Sequence, residues 1–386
     1  MRPFLGSLVV NAFSSAGNFI LTIAVATSTT AQQFGSLSIA LTIYLLVAGT
    51  LRAAVLESLA RSSTTGNLLQ GLGTSAWLPM LVAVPAAIIS MIHGAELALW
   101  VFIGLPGLVA YDYLRTSLVM RADDRLALIM ESTWLLATVV AAGAHRLGLL
   151  DVTSLVASWA LTPSLITFVV LSLTHNLRML GHGFGQTRYV SWPYATDSLM
   201  GAGSSQMTVL ALGWVTGPFA VGAVRGAGTL LSPINIVSSA IRPVLLRQIS
   251  TQSGWRTIHT VRVAVAATVL LLPLALLVNL IPDPLGLRLL GATWPSAQLV
   301  LFPITFEVML ALISGVFFAG VRAKGHPISV LRIRTSLGMT RVLAVGAGGV
   351  AYGFEGAIWS LPIVSLIGAI VWFRFYQILG KPERLK

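Results

Sequence analysis

Twelve apolar runs, each near the ~20 residues a helix needs to cross a bilayer, dominate this chain. They fall at about 5–28, 34–54, 72–92, 97–120, 126–144, 149–173, 196–215, 218–245, 259–281, 297–320, 333–352 and 355–376. The longest gaps, 174–195, 246–258 and 282–296, are too short to fold as a domain. The runs are continuous rather than alternating, so a β-barrel is excluded. The expectation is an all-α, polytopic membrane protein whose chemistry occurs in or beside the bilayer. Composition agrees: 56% of the 386 residues are hydrophobic and 9% charged, against ~25% charged in ordinary soluble domains. A soluble enzyme, a disordered chain and a free DNA-binding domain are thereby excluded. With no Cys there is no disulfide framework and no thiolate site.

The 24 Lys+Arg outnumber the 12 Asp+Glu, a formal net charge of +12. With both termini assigned to the cytoplasm and alternating spans, 21 of the 24 bases fall on cytoplasmic segments. Arg146 and Arg288 fall outside and Arg225 lies within a span. Such a bias predicts an even number of spans, both ends cytoplasmic, in a cell membrane. The basic inner loops would attract anionic membrane lipids. The first apolar run is expected to be retained rather than cleaved as a leader, because it has a counterpart in the second half.

That counterpart belongs to a duplication. Ala12-Phe13-Ser14-Ser15 aligns with Ala202-Gly203-Ser204-Ser205, and Leu51-Arg52 with Ile241-Arg242, each at an offset of 190. Met120-Arg121-Ala122 matches Val321-Arg322-Ala323 after the fourth and tenth spans. Two six-helix lobes are therefore expected, residues 1–173 and 196–386, with a cytoplasmic linker at 174–195. Six is even, so the lobes would share one orientation, related by a pseudo-two-fold axis along the membrane normal.

Helical spacing gathers polar residues into stripes on paired spans. The first span carries Asn11, Ser14, Ser15, Asn18 and Thr22; the seventh carries Asp197, Gly201, Ser204, Ser205 and Thr208. The second offers Ser38, Thr42 and Arg52; the eighth offers Arg225, Thr229, Ser232, Ser239 and Arg242. Such faces avoid lipid, so they look onto protein or a hydrated cavity. Small-residue helix packing, with hydroxyls bonded to backbone carbonyls, is the competing reading. Arg225 in the eighth span has the planar fork that fits a phosphate or pyrophosphate. Glu307, mid-way along the tenth span, is a candidate to take H⁺ or Na⁺, or to pair with an arginine. Asp197 is a second ion-coupling candidate or a helix N-cap. Asp112 and Arg115 form an i, i+3 pair, and Glu131 stands three residues before Trp134. There is no phosphate-binding P-loop, and the six His show no metal-ligand spacing. No enzymatic activity, metal or cofactor is expected beyond a coupling ion.

Phe34-Gly35 and Ile39-Ala40-Leu41, running into Leu51-Arg52-Ala53-Ala54-Val55-Leu56-Glu57, resemble the second helix of bacterial polysaccharide flippases. Asp112-Tyr113-Leu114-Arg115 through Arg121, then Glu131-Ser132-Thr133-Trp134, is similar to their fourth and fifth helices. Leu290-Gly291-Ala292-Thr293-Trp294-Pro295 resembles the start of their tenth. The superfamily includes the multidrug and toxic-compound extrusion (MATE) transporters and the lipid II flippases. The resemblance implies export of a polyprenyl-pyrophosphate-linked oligosaccharide by alternating access, beside glycosyltransferases or a polymerase of the same pathway. It implies that the first, second, seventh and eighth helices line the cavity. Arg225 and Arg52 would then hold the pyrophosphate, and Asn11, Ser14, Asn18, Ser204 and Thr229 the sugar. Alternatives at this point are a cation-coupled drug exporter of the same fold, a non-transporting scaffold, or a membrane-embedded polysaccharide-processing enzyme.

Overall fold

In the computed structural model the protein is all-α, a multi-pass membrane protein. It describes residues 2–57, 59, 68–121, 123–181, 190–200, 203–235, 241, 245, 249, 257–324 and 327–379. The chain divides into two compact units, Met1–Gln206 and Met207–Lys386.

In the first unit the first span, Arg2–Ser28, is uncharged beyond Arg2. Thr30 then opens the second, Ala31–Leu51. Its side chain accepts from the Gln33 N–H while Gln33 bonds back to the Thr30 N–H, a reciprocal capping box. The second span ends in a π-helical turn, Arg52–Glu57. The third covers Leu68–Ile92 and turns Leu81, Ile88, Met91 and Ile92 outward, an apolar surface suited to lipid. The fourth, Glu96–Met120, is the most enclosed. A Cβ on its Gly104 would lie 2.6 Å from the Ala160 carbonyl, so glycine permits the contact with the sixth span. The fifth, Asp124–Arg146, and the sixth, Val152–Leu173, are N-capped by Asp123 and Asp151, whose carboxylates accept from the Leu126 and Ser154 amides. The helix Trp192–Met200 packs on the end of the second span. Ser191 N–H donates to the Ala54 carbonyl at 2.9 Å, and Ser198 Oγ to the Gly49 carbonyl at 3.2 Å.

The helix Gly203–Thr216, in the region expected as the seventh span, leads the chain into the second unit, which begins at Met207. Gly217 (φ 82) turns the chain and Pro218 starts the eighth, Pro218–Leu230. The ninth, Thr257–Asn279, is followed by a short amphipathic helix, Asp283–Leu290, and the tenth, Trp294–Lys324. The last helical stretch, Pro327–Leu379, is one run only nominally. Tyr352 (φ −132, ψ 16) and Gly353 (φ 63, ψ −144) leave helical geometry, so the stretch holds the expected eleventh and twelfth spans. Positive φ at Gly353 is the conformation that glycine adopts without strain. Ends differ from expectation where helices outrun the apolar run, as in Arg2–Ser28 and Trp294–Lys324. The eighth span expected over 218–245 is continuous only to Leu230, and 236–240 lie outside the described residues.

Candidate functional site

The fourth span ends at Met120 and the fifth begins at Asp124, so residues at similar separations from that junction approach one another. Arg115 and Glu131 do so, Nη1 to Oε1 at 3.0 Å, while Arg115 Nη2 reaches Asp112 Oδ1 at 2.6 Å. One fully enclosed guanidinium thus serves two carboxylates, as its planar fork allows. Arg52, first residue of the π-helical turn, brings its Nη1 within 3.7 Å of Asp112 Oδ2. Its side chain stays 38% exposed while that of Asp112 is 10% exposed, so Arg52 forms the wet rim of a dry cluster. Two arginines and two acids make the set formally neutral, which is how charge persists away from water.

An aromatic wall closes the cluster. Tyr111 packs edge-on to Trp134 at 5.1 Å, Trp134 lies 5.4 Å from Trp159, and Tyr44 stands edge-on to Trp159 at 6.3 Å. Trp134 Nε1 donates to the Trp159 carbonyl at 3.1 Å, tying the fifth span to the sixth. Three polar atoms at this wall are buried with no partner within hydrogen-bond distance: Glu131 Oε2, the Tyr111 hydroxyl and Trp159 Nε1.

The second unit holds a simpler pair. Glu307 lies 17 residues before the end of the tenth span at Lys324, and Arg341 lies 14 residues after the start of the next helix at Pro327 (324 − 307 = 17, 341 − 327 = 14). Arg341 Nη2 donates to Glu307 Oε1 at 2.6 Å, and Ser365 Oγ of the twelfth span to the same oxygen at 3.4 Å. The ion-pair alternative for Glu307 is therefore the arrangement present. Arg115 and Arg341, counted above among cytoplasmic bases, sit inside helices as ion-pair partners. Without them the inner count falls from 21 to 19 (21 − 2), still far above the two outer ones.

Arg225 is half-buried in the eighth span and makes no ion pair among the described residues. Thr229, one turn on, is buried and donates to the Arg225 carbonyl at 2.8 Å. Ser14 and Asn18 are half-buried on the first span, and Ser204 half-buried on the seventh. Asn11 and Asp197 lie in helices, but their side chains fall outside the described residues. Asp197 is interior to Trp192–Met200, so it is not that helix's N-cap. Arg242, Ser239 and Gly201 are also outside the described residues. Several stripe hydroxyls are spent locally: Thr22 on the Asn18 carbonyl at 2.6 Å, Ser38 on Phe34 and Thr42 on Ser38, each at 2.7 Å. For these three the helix-packing reading holds. Among the described residues no group of three His, Asp or Glu gathers as a metal site.

The sequence reading missed that Arg52, Asp112, Arg115 and Glu131 form one cluster. The signal was present for three of them: Asp112, Arg115 and Glu131 lie at similar separations from the junction of the fourth and fifth spans, whereas nothing in the spacing of Arg52 shows it.

No protein-family model matches the chain, and no curated protein matches it. Solved structures do. An inward-facing multidrug resistance MATE family transporter of the MOP superfamily aligns with TM-score 0.66 and 14% identity, over 96% of each chain. The lipid II flippase MurJ, in an inward closed conformation, aligns with TM-score 0.67 and 10% identity, over 98% of this chain and 90% of that one. A eukaryotic MATE transporter aligns at TM-score 0.53 and 11% identity, over 97% and 99%. At such identities the likeness is one of fold: this chain has a fold similar to that of MOP-superfamily transporters.

Proposed function

We propose that the chain is a membrane transporter that flips a polyprenyl-pyrophosphate-linked sugar across the cell membrane by alternating access. The observation that carries this reading is Arg225, a guanidinium within a transmembrane helix that no described acid neutralises. An uncompensated cation in that setting favours an anionic ligand, and its fork matches pyrophosphate oxygens. Arg52 is a second anchor: its exposed guanidinium is held by only one contact, the 3.7 Å pair with Asp112. Ser14, Asn18 and Ser204, with Asn11 of the first span, supply hydroxyl and amide partners for sugar. Thr229 already donates to a backbone carbonyl and offers its lone pairs. The similarity in fold to a lipid II flippase supports the reading, and the similarity to MATE transporters leaves drug efflux as its rival. Arg225 would repel a cationic drug.

Coupling through Glu307 would require H⁺ or Na⁺ to displace Arg341 from its carboxylate; Asp197 is the other coupling candidate. Arg225→Ala should abolish export of a fluorescent lipid-linked sugar in proteoliposomes while leaving protein yield unchanged. Arg225→Lys should retain part of the activity. Full export by the alanine variant would remove Arg225 from the site.

A further inference from the structure

We propose that Glu131 is a proton-binding site of the first unit, linked through Asp112 to anion capture by Arg52. The link rests on the reading of Arg52 as a pyrophosphate anchor; the proton site does not. Glu131 is 1% exposed. Its Oε1 accepts from Arg115, but its Oε2 is buried with no partner within hydrogen-bond distance. A bare carboxylate oxygen in a dry pocket is the costly form. A proton on Oε2 forms an O–H bond there and removes the charge, while Oε1 keeps its bond from Arg115.

The groups facing Glu131 can be counted by element. The fourth span contributes Asp112, Arg115 and Tyr111; the second contributes Tyr44 and Arg52 at the rim. The first span has no titratable side chain beyond Arg2, and the sixth has none. The balance is therefore two positive and two negative with Arg52 in place. An anion that draws Arg52 away from Asp112 leaves Arg115 alone against two carboxylates. Proton uptake from water at Glu131 restores neutrality, and reciprocity requires that protonation in turn favours anion binding. Glu307 lacks this property: its Oε1 receives Arg341 and Ser365, and neither of its oxygens is buried without a partner.

Infrared difference spectroscopy on the purified full-length protein tests both parts, with inorganic pyrophosphate as probe. Addition of pyrophosphate should raise the C=O band of a protonated carboxylic acid. The band should shift when glutamate alone carries ¹³C, vanish in Glu131→Gln, and persist in Glu307→Gln. Arg52→Ala should give no pyrophosphate-induced band. The isotope shift on the unmodified sequence keeps the test valid if Glu131→Gln fails to fold, because Asp112 would not shift. A band that survives in folded Glu131→Gln, or that ignores the glutamate label, overturns the site. Calorimetric binding of pyrophosphate with no carboxyl change, together with no glutamate band that moves with bulk pH, overturns the site while leaving the flippase reading intact. A Glu131 band that responds to bulk pH but not to pyrophosphate upholds the proton site and overturns its link to Arg52.

Discussion

Arg115 donates to Asp112 at 2.6 Å and to Glu131 at 3.0 Å, and all three are buried between the fourth and fifth spans. Removing it leaves two carboxylates facing one distant arginine, and breaking a buried pair of this kind costs about 3–5 kcal/mol. Arg115→Met should therefore sharply lower the melting temperature in detergent. The double variant Arg115→Met/Glu131→Leu keeps the remaining Arg52–Asp112 pair neutral and should recover most of that loss; failure to recover would mean the cluster is not what stabilises the unit. A gentler effect sits outside the membrane spans. Hydrogen bonds from the Ser154 hydroxyl and amide hold the exposed Asp151 carboxyl below its ordinary range. The folded value is depressed, so the cap's contribution is present above about pH 4 and is lost as acidification passes below the folded value. Asp151→Asn keeps the cap without a titrating group. Its melting temperature should fall less than the wild type's between about pH 7 and pH 3.

Hairpins of helices set what was legible in the sequence. Runs of apolar residues located the spans because a bilayer demands continuous helix, and Tyr352-Gly353 divides the final stretch where the eleventh and twelfth spans were expected. The chain has no native cysteine, so single cysteines report topology cleanly. Tyr352→Cys, at a position 81% exposed, should react with a membrane-impermeant thiol reagent only from outside the cell. Labelling from the cytoplasmic side would reverse the orientation assigned from arginine and lysine. Gly104→Leu should reduce folded yield, since its side chain must enter the space held by Ala160 of the sixth span. Ion pairs were less legible than spans. Arg115 is close enough to its helix end to count as a topology signal and Arg341, well inside its helix, was counted with the loop before it; only the antiparallel register of each hairpin shows that they face Glu131 and Glu307. The polar stripes were ambiguous for a different reason. A hydroxyl facing water and one bonded to its own helix occupy the same sequence positions, and Thr22, Ser38 and Thr42 are of the second kind.

The whole molecule joins a transporter-like fold to a sparse set of intramembrane charges, and those charges differ between its halves. The first unit keeps a four-charge cluster with an exposed arginine at its rim. The second keeps a closed pair, Glu307–Arg341, and the unneutralised Arg225. The proposed anionic substrate accords with this inventory, since among the described residues Arg225 makes no ion pair and the Arg52 guanidinium is exposed. The most direct test of that claim is translocation in proteoliposomes. Purified protein should move a fluorescent polyprenyl-pyrophosphate-linked sugar between leaflets, with the rate lost in Arg225→Ala and strongly reduced in Arg52→Ala. Translocation no faster than in protein-free vesicles, or undiminished in both variants, would contradict it.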